Sequence, residues 1–160
     1  KKATHIVFMN SFSRFIPIGK ESRSLKVGLL GMQRKINTNK EREMISMFWQ
    51  KATFPYQQEA SLPNILTSKY SSEGIQRLQD DLNLLIRTKR LPNAIKKNTK
   101  VLIINGESDK IIHPSVRLIL INELSKYLEK TPEHWIIKKE GHVILLKKII
   151  EKTMIWLESN

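Results

Sequence analysis

The sequence predicts an α/β fold, parallel strands with flanking helices, carrying an inserted all-helical segment. Three observations carry this. Short apolar runs rich in β-branched residues occur near the start of the chain and return after residue 99. Between them, residues 15–98 space their apolar side chains by three and four, the helical period. Each of the last two apolar runs then ends in a short polar loop, the first holding Asp109 and the second His142.

The elements follow in order. Residues 5–10 (His5 to Asn10) are short, apolar, and part aromatic and β-branched, so they read as a buried strand. The polar stretch through Ser11 and Ser13 breaks it. Pro17, Gly19, Pro55 and Pro63 then punctuate helical segments. Leu25, Leu29 and Met32 form one helical face. Met44, Ile45, Phe48 and Trp49 form a second, with Thr38 and Asn39 as expected N-caps and Glu41 in the first turn. Ser71 or Ser72 caps a third run, where Ile75, Leu78, Leu82, Leu85 and Ile86 share a face and Leu91-Pro92 closes it. After Thr99 the period changes. Residues 101–104 are continuously apolar, as expected of a parallel strand covered on both faces. Residues 114–129 read as a helix and residues 135–137 as a strand. Residues 143–157 read as a closing helix with Leu146, Ile149, Ile150 and Trp156 toward the sheet. The expected division is a core of residues 1–14 and 99–160, with residues 15–98 as a helical cap.

Composition narrows the function. At 160 residues the chain can bury a core hiding roughly 70% of its unfolded surface. Cysteine is absent, which removes disulfide and cysteine-metal chemistry and is compatible with a reducing cytoplasm. No run of 18 apolar residues is present, so no transmembrane helix is expected. The net charge of +13 comes from 28 Lys and Arg against 15 Asp and Glu. Such a surface attracts acidic partners, but the charges are scattered along the chain. Specific nucleic-acid binding is not expected, because no basic block interleaves with aromatics and no helix-turn-helix or zinc-finger spacing occurs.

In an open α/β sheet, residues just past the carboxyl ends of the strands line the site. Asp109 and His142 stand there, each after its own strand. A carboxylate in that position can accept the Nδ1 proton of a histidine, hold its tautomer and stabilise the imidazolium. Taken singly, Asp109 could be a turn aspartate and His142 a packed or capping histidine; the pair together points to a Ser-His-Asp arrangement in the order acid, then base. A nucleophile on a Gly-x-Ser-x-Gly elbow would precede both, and none occurs in these residues. Ser108 lacks the second glycine and follows the acid strand. Ser11 and Ser13 could line a pocket or simply close a turn. His5 and His113 read as junction and loop residues, and His134 as an exposed residue before a strand. Met44, Met47, Phe48 and Trp49 could line an acyl channel or pack a helical core. No metal-ligand spacing and no glycine-rich phosphate loop is present.

The stretch from Gly106 to Pro114, with Asp109 inside it, resembles the acid loop of α/β-hydrolases, often Gly-x-x-Asp-x-x-Val-Pro. Here Ile112 stands for the Val, and His113 is inserted before Pro114. Gly141-His142 is similar to the base motif. Residues 72–87, from Ser72-Glu-Gly74 through Arg77, Leu78 and Asp81 to Arg87, resemble the cap-to-core segment of pimeloyl-[acyl-carrier protein] methyl ester esterases of biotin synthesis. Residues 6–16, ending Arg14-Phe15-Ile16, resemble the strand after the nucleophile helix and the start of the cap. The resemblance covers essentially the whole chain and corresponds to the part of that fold after the nucleophile. With Lys1 as first residue and a strand almost at once, the chain is expected to begin mid-fold. A serine elsewhere would then attack an ester carbonyl, with His142 as base and then acid, Asp109 orienting it, and no metal or cofactor. The resemblance further implies a cytoplasmic protein whose cap contacts an acidic acyl-carrier protein. Residues 15–98 carry 15 Lys and Arg against 7 Asp and Glu, a net +8 that suits such a partner. Ser11, Phe15, Arg42 and Phe48 are the expected pocket or carrier contacts. Two other readings use the same residues: a non-catalytic module binding an acidic partner, and an α/β-hydrolase acting on another ester or a thioester.

Overall fold

The structure, a computed structural model, describes residues 3–36, 38, 40–56, 70–91, 94–144 and 146–159. The expected cap Asn39 and the breakers Pro63 and Pro92 lie outside the described residues. The elements run β1 (His5–Met9), α1 (Ser22–Lys35), α2 (Glu41–Ala52), α3 (Ser72–Arg87), β2 (Lys100–Gly106), α4 (Pro114–Tyr127), β3 (Glu133–Ile137) and α5 (Lys147–Glu158).

The three strands form one parallel sheet in the order β1-β2-β3. Ile6 pairs with Val101, and Ile104 pairs with Trp135. The central strand has neighbours on both sides and helices over both faces, which is why its sequence is apolar without alternation. Leu102, Ile103 and Ile104 are fully buried, each stabilising the fold by roughly 1.5–3 kcal/mol. Val101 and Ile103 pack on Leu120 and Leu124 of α4, while Leu102 and Ile104 pack on Ile144 and on Ile149 of α5. Leu91 and Ile95 join the α4-side cluster, so the chain has rejoined the sheet before β2 begins.

The helical layer has its own core. Ile16, Leu29, Ile36, Met44 and Leu82 are buried together, ringed by Phe15, Met32, Ile75 and Leu78. Ser71 caps α3, its hydroxyl accepting from the Gly74 amide at 3.1 Å.

Two expected helix starts move. At α2 the N-cap is Lys40, which makes no side-chain cap bond. Thr38 instead turns back on α1, its hydroxyl donating to the Lys35 carbonyl at 2.6 Å. The closing helix begins at Lys147 rather than Val143: Leu146 is extended, φ −68° and ψ 116°, and the Val143 amide is held in the base loop by the Ala52 carbonyl at 3.1 Å. Within that helix Ile149 is buried but Ile150 is half exposed, one step round the helix from the sheet-facing stripe.

Candidate active site

The acid loop (residues 107–113) and the base loop (residues 138–146) leave the carboxyl ends of the neighbouring strands β2 and β3. They are joined backbone to backbone. The Glu107 amide donates to the Ile137 carbonyl at 3.0 Å, and the Ser108 amide to the Glu140 carbonyl at 2.8 Å. Two glycines allow the approach. A Cβ on Gly106 would run into the carbonyls of Glu140 and Gly141, and one on Gly141 would run into the Phe54 carbonyl. The Gly106 and Gly141 of the two motifs are thus contact points between loops, and the turn after α2 presses on the base loop from outside. The Tyr56 hydroxyl donates to the Glu140 carboxylate there at 2.9 Å.

Asp109 sits in the acid loop with its carboxylate out of contact with solvent. Oδ1 accepts from the Ile111 amide at 2.7 Å and the Ile112 amide at 3.1 Å, a local turn that aims the other oxygen across the loop. That oxygen, Oδ2, lies 3.0 Å from Nδ1 of His142. Burial works to raise the Asp109 carboxyl. The hydrogen bonds from His142 and the two amides, with the charge of His142, outweigh it and hold the group below the ordinary carboxylate value. A carboxylate kept ionised against Nδ1 leaves Nε2 as the proton-accepting nitrogen, the tautomer a general base requires.

His142 also lines a cavity of about 610 Å³. Phe12 and Phe15 from the segment after β1, Met32 of α1, Met44 and Phe48 of α2, and Leu82 of α3 form its apolar wall, with Ile111 and Ile112 from the acid loop. Lys35, Lys51, Lys110 and Asp81 are its charged members. Phe48 is exposed because it faces this open space.

Of the expected site residues, the structure brings Asp109, His142, Phe15 and Phe48 to one place. It does not bring Ser11 or Arg42 to the cavity wall. The Ser11 hydroxyl closes a turn onto the Met9 carbonyl at 3.0 Å, and Arg42 is exposed on α2 near Tyr70. His113 caps α4, its ring nitrogen accepting from the Ser115 amide. His134 lies inside β3 rather than before it, and its Nε2 meets Asn105 Oδ1 at 2.9 Å. Burial, then the charge of Arg117, lower its proton affinity. Among the described residues no group of three or more His, Asp or Glu could hold a metal ion. No described helix is long and apolar enough to cross a membrane.

Sequence reasoning missed Asn10. It ends β1 in a left-handed conformation, φ 41°, and is 5% exposed. Its Oδ1 accepts from the Gly106 amide at 2.9 Å, and its Nδ2 donates to the carbonyls of Gly141 at 3.1 Å and His142 at 2.6 Å. One amide therefore ties the ends of β1 and β2 to the base loop. An asparagine closing an apolar strand was the available signal, since it tolerates positive φ.

Three parallel strands, Asp109 and His142 past the carboxyl ends of two of them, and a helical layer over both make a partial α/β-hydrolase fold. The solved structure of 2-hydroxy-6-oxo-6-phenylhexa-2,4-dienoate hydrolase (BphD) from Rhodococcus sp. strain RHA1 matches it with a TM-score of 0.53 and 16% sequence identity. The match covers 98% of this chain and 54% of that one, so the chain spans about half the length of the hydrolase it matches. No family model and no curated protein sequence matches the chain.

Proposed function

We propose that this chain supplies the acid, the base and the acyl-binding wall of a carboxylic ester hydrolase. The observation that carries the reading is the 3.0 Å contact between Asp109 and His142 at the edge of an apolar cavity. His142 takes the proton of a serine hydroxyl as that oxygen attacks the ester carbonyl, and returns it to the leaving alcohol. Asp109 holds the ring and stabilises its charged form. The serine comes from outside residues 1–160, on strands that extend the sheet from the β1 edge, which has no strand partner among the described residues.

The finer reading is a pimeloyl-[acyl-carrier protein] methyl ester esterase-like enzyme of biotin synthesis, acting in the cytoplasm. It rests on the motifs of residues 6–16 and 72–87 and on the net +8 of residues 15–98, which suits an acidic carrier. Phe15 and Phe48 would touch the acyl chain, Arg42 the carrier, and Ser11 the margin of the pocket. BphD is named for a different substrate, so the same pair on another ester or a thioester is the nearest variant of this reading.

The test compares the 160-residue chain with any longer reading frame that contains it and adds a Gly-x-Ser-x-Gly. The longer protein hydrolyses a short p-nitrophenyl ester, and His142→Ala abolishes it; the shorter chain is inactive. Ester turnover by the short chain, itself lost in His142→Ala, refutes the division of labour. The high positive charge supports a second reading, a non-catalytic module for an acidic partner. In that case the short chain alone binds acyl-carrier protein in a salt-sensitive way, and no binding at low salt ends it.

A further inference from the structure

Beyond His142 and the Ile111 and Ile112 amides, the Asp109 carboxylate has one more close partner, Arg117. Arg117 stands in the first turns of α4 with its side chain 13% exposed. Its Nη2 lies 3.7 Å from Asp109 Oδ2, the same oxygen that faces His142. The same nitrogen donates to the carbonyls of Asp109 at 3.5 Å and Ile112 at 3.4 Å, so it grips both ends of the turn that presents the acid. Its Nε is buried with no hydrogen-bond partner among the described residues. A cation has been drawn into a poorly solvated place, and its nearest anion is the triad acid.

We propose that Arg117 is a positioning residue of this site, balancing the Asp109 charge and so setting the pH at which His142 takes up a proton. The inference rests on the reading of Asp109 and His142 as an acid–base pair. A buried carboxylate favours the charged form of a ring bonded to it. A second cation 3.7 Å from the shared oxygen opposes that, in a place where water screens it little.

Other charges face the pair. Lys110 adjoins Asp109 with its ammonium over the Phe54 ring, and Lys35, Lys51 and Asp81 line the cavity with His142. Lys35 is paired with Glu43. Glu140 is buried in the base loop and bonded by Tyr56. His134 lies in the field of Arg117, and His113 caps the same helix. Arg117 differs from all of these in being a cation in direct reach of Oδ2.

The experiment is an NMR titration of the His142 ring nitrogens in the unaltered chain, Arg117→Gln and Arg117→Lys. In Arg117→Gln the midpoint moves up by about one pH unit, and Arg117→Lys restores it to within a few tenths. A folded Arg117→Gln chain with an unmoved midpoint overturns the proposal. A shift that Arg117→Lys fails to reverse also overturns it, because geometry rather than charge would then be at work. Where Arg117→Gln does not fold, the unaltered chain decides: by reciprocity, the Arg117 guanidinium signals move with the same midpoint as the His142 ring, and guanidinium signals flat through that midpoint reject the coupling. Neither readout uses turnover, so absence of ester hydrolysis leaves this result standing, and the reverse is also true.

Discussion

The loops past β2 and β3 and the helical layer that faces them are built by different means. The loops are held by backbone hydrogen bonds, two glycines at contact distance and one buried asparagine. The helical layer is held by side chains, with Leu29, Met44 and Leu82 at its centre and a cavity left between it and the acid loop. One region fixes the position of two side chains, Asp109 and His142, against each other. The other shapes a volume. Chemistry tolerates little misplacement, whereas an apolar wall can be repacked with modest loss.

That contrast predicts how each region breaks. Gly106→Ala is the most damaging change, because a methyl group meets backbone carbonyls that cannot turn away. We expect a loss of roughly 3–5 kcal/mol in urea denaturation, and a loss under 1 kcal/mol would show that the loops are not locked. Asn10→Ala comes next. It strands a buried amide and two carbonyls, costing about 2–4 kcal/mol and removing the downfield Nδ1 proton signal of His142. A folded Asn10→Ala protein that keeps that signal argues against Asn10 as the latch.

A smaller effect appears in acid. The folded Asp109 carboxyl lies below its ordinary value of 3.8, so its stabilisation is present above that pH and is lost as pH falls through the folded value. The melting temperature of the unaltered chain should therefore fall as pH drops below about 4, and Asp109→Asn should flatten that part of the curve. Parallel curves for the two proteins would remove Asp109 as a source of the acid transition. The helical layer gives the smallest response. Phe48→Ala should cost about 1 kcal/mol or less, since the ring is 41% exposed, yet weaken binding of an apolar dye a few-fold. Equal dye affinity in both proteins would mean that the cavity is not where the dye sits.

Much of the architecture was legible because it is local. Continuous apolar runs mark buried parallel strands, and Ser71 and the spacing from Ile75 to Ile86 mark α3. Asp109 and His142 stood out because each follows its strand through a glycine-bearing loop. Ser11 did not reach the cavity wall, since a residue's neighbours across a turn are not set by its place in a motif. The start of α5 was misjudged because the residues from Val143 to an extended Leu146 belong to the base loop, tied there by the Ala52 carbonyl 91 residues before Val143.

By itself, then, the sequence determined periodicity, strand ends, one helix cap and the placing of Asp109 and His142 each in the loop after its strand. These depend on residues within a turn or two of each other, where side-chain chemistry and backbone sterics decide the outcome. Only the tertiary structure decided the 3.0 Å contact of Asp109 with His142, the reach of Asn10 across 131 and 132 residues, and the placing of Arg117 on the acid. Each joins segments that meet only when the sheet and helices have packed. The local pattern is indifferent to such meetings, because they depend on the distance between elements and not on the period within one.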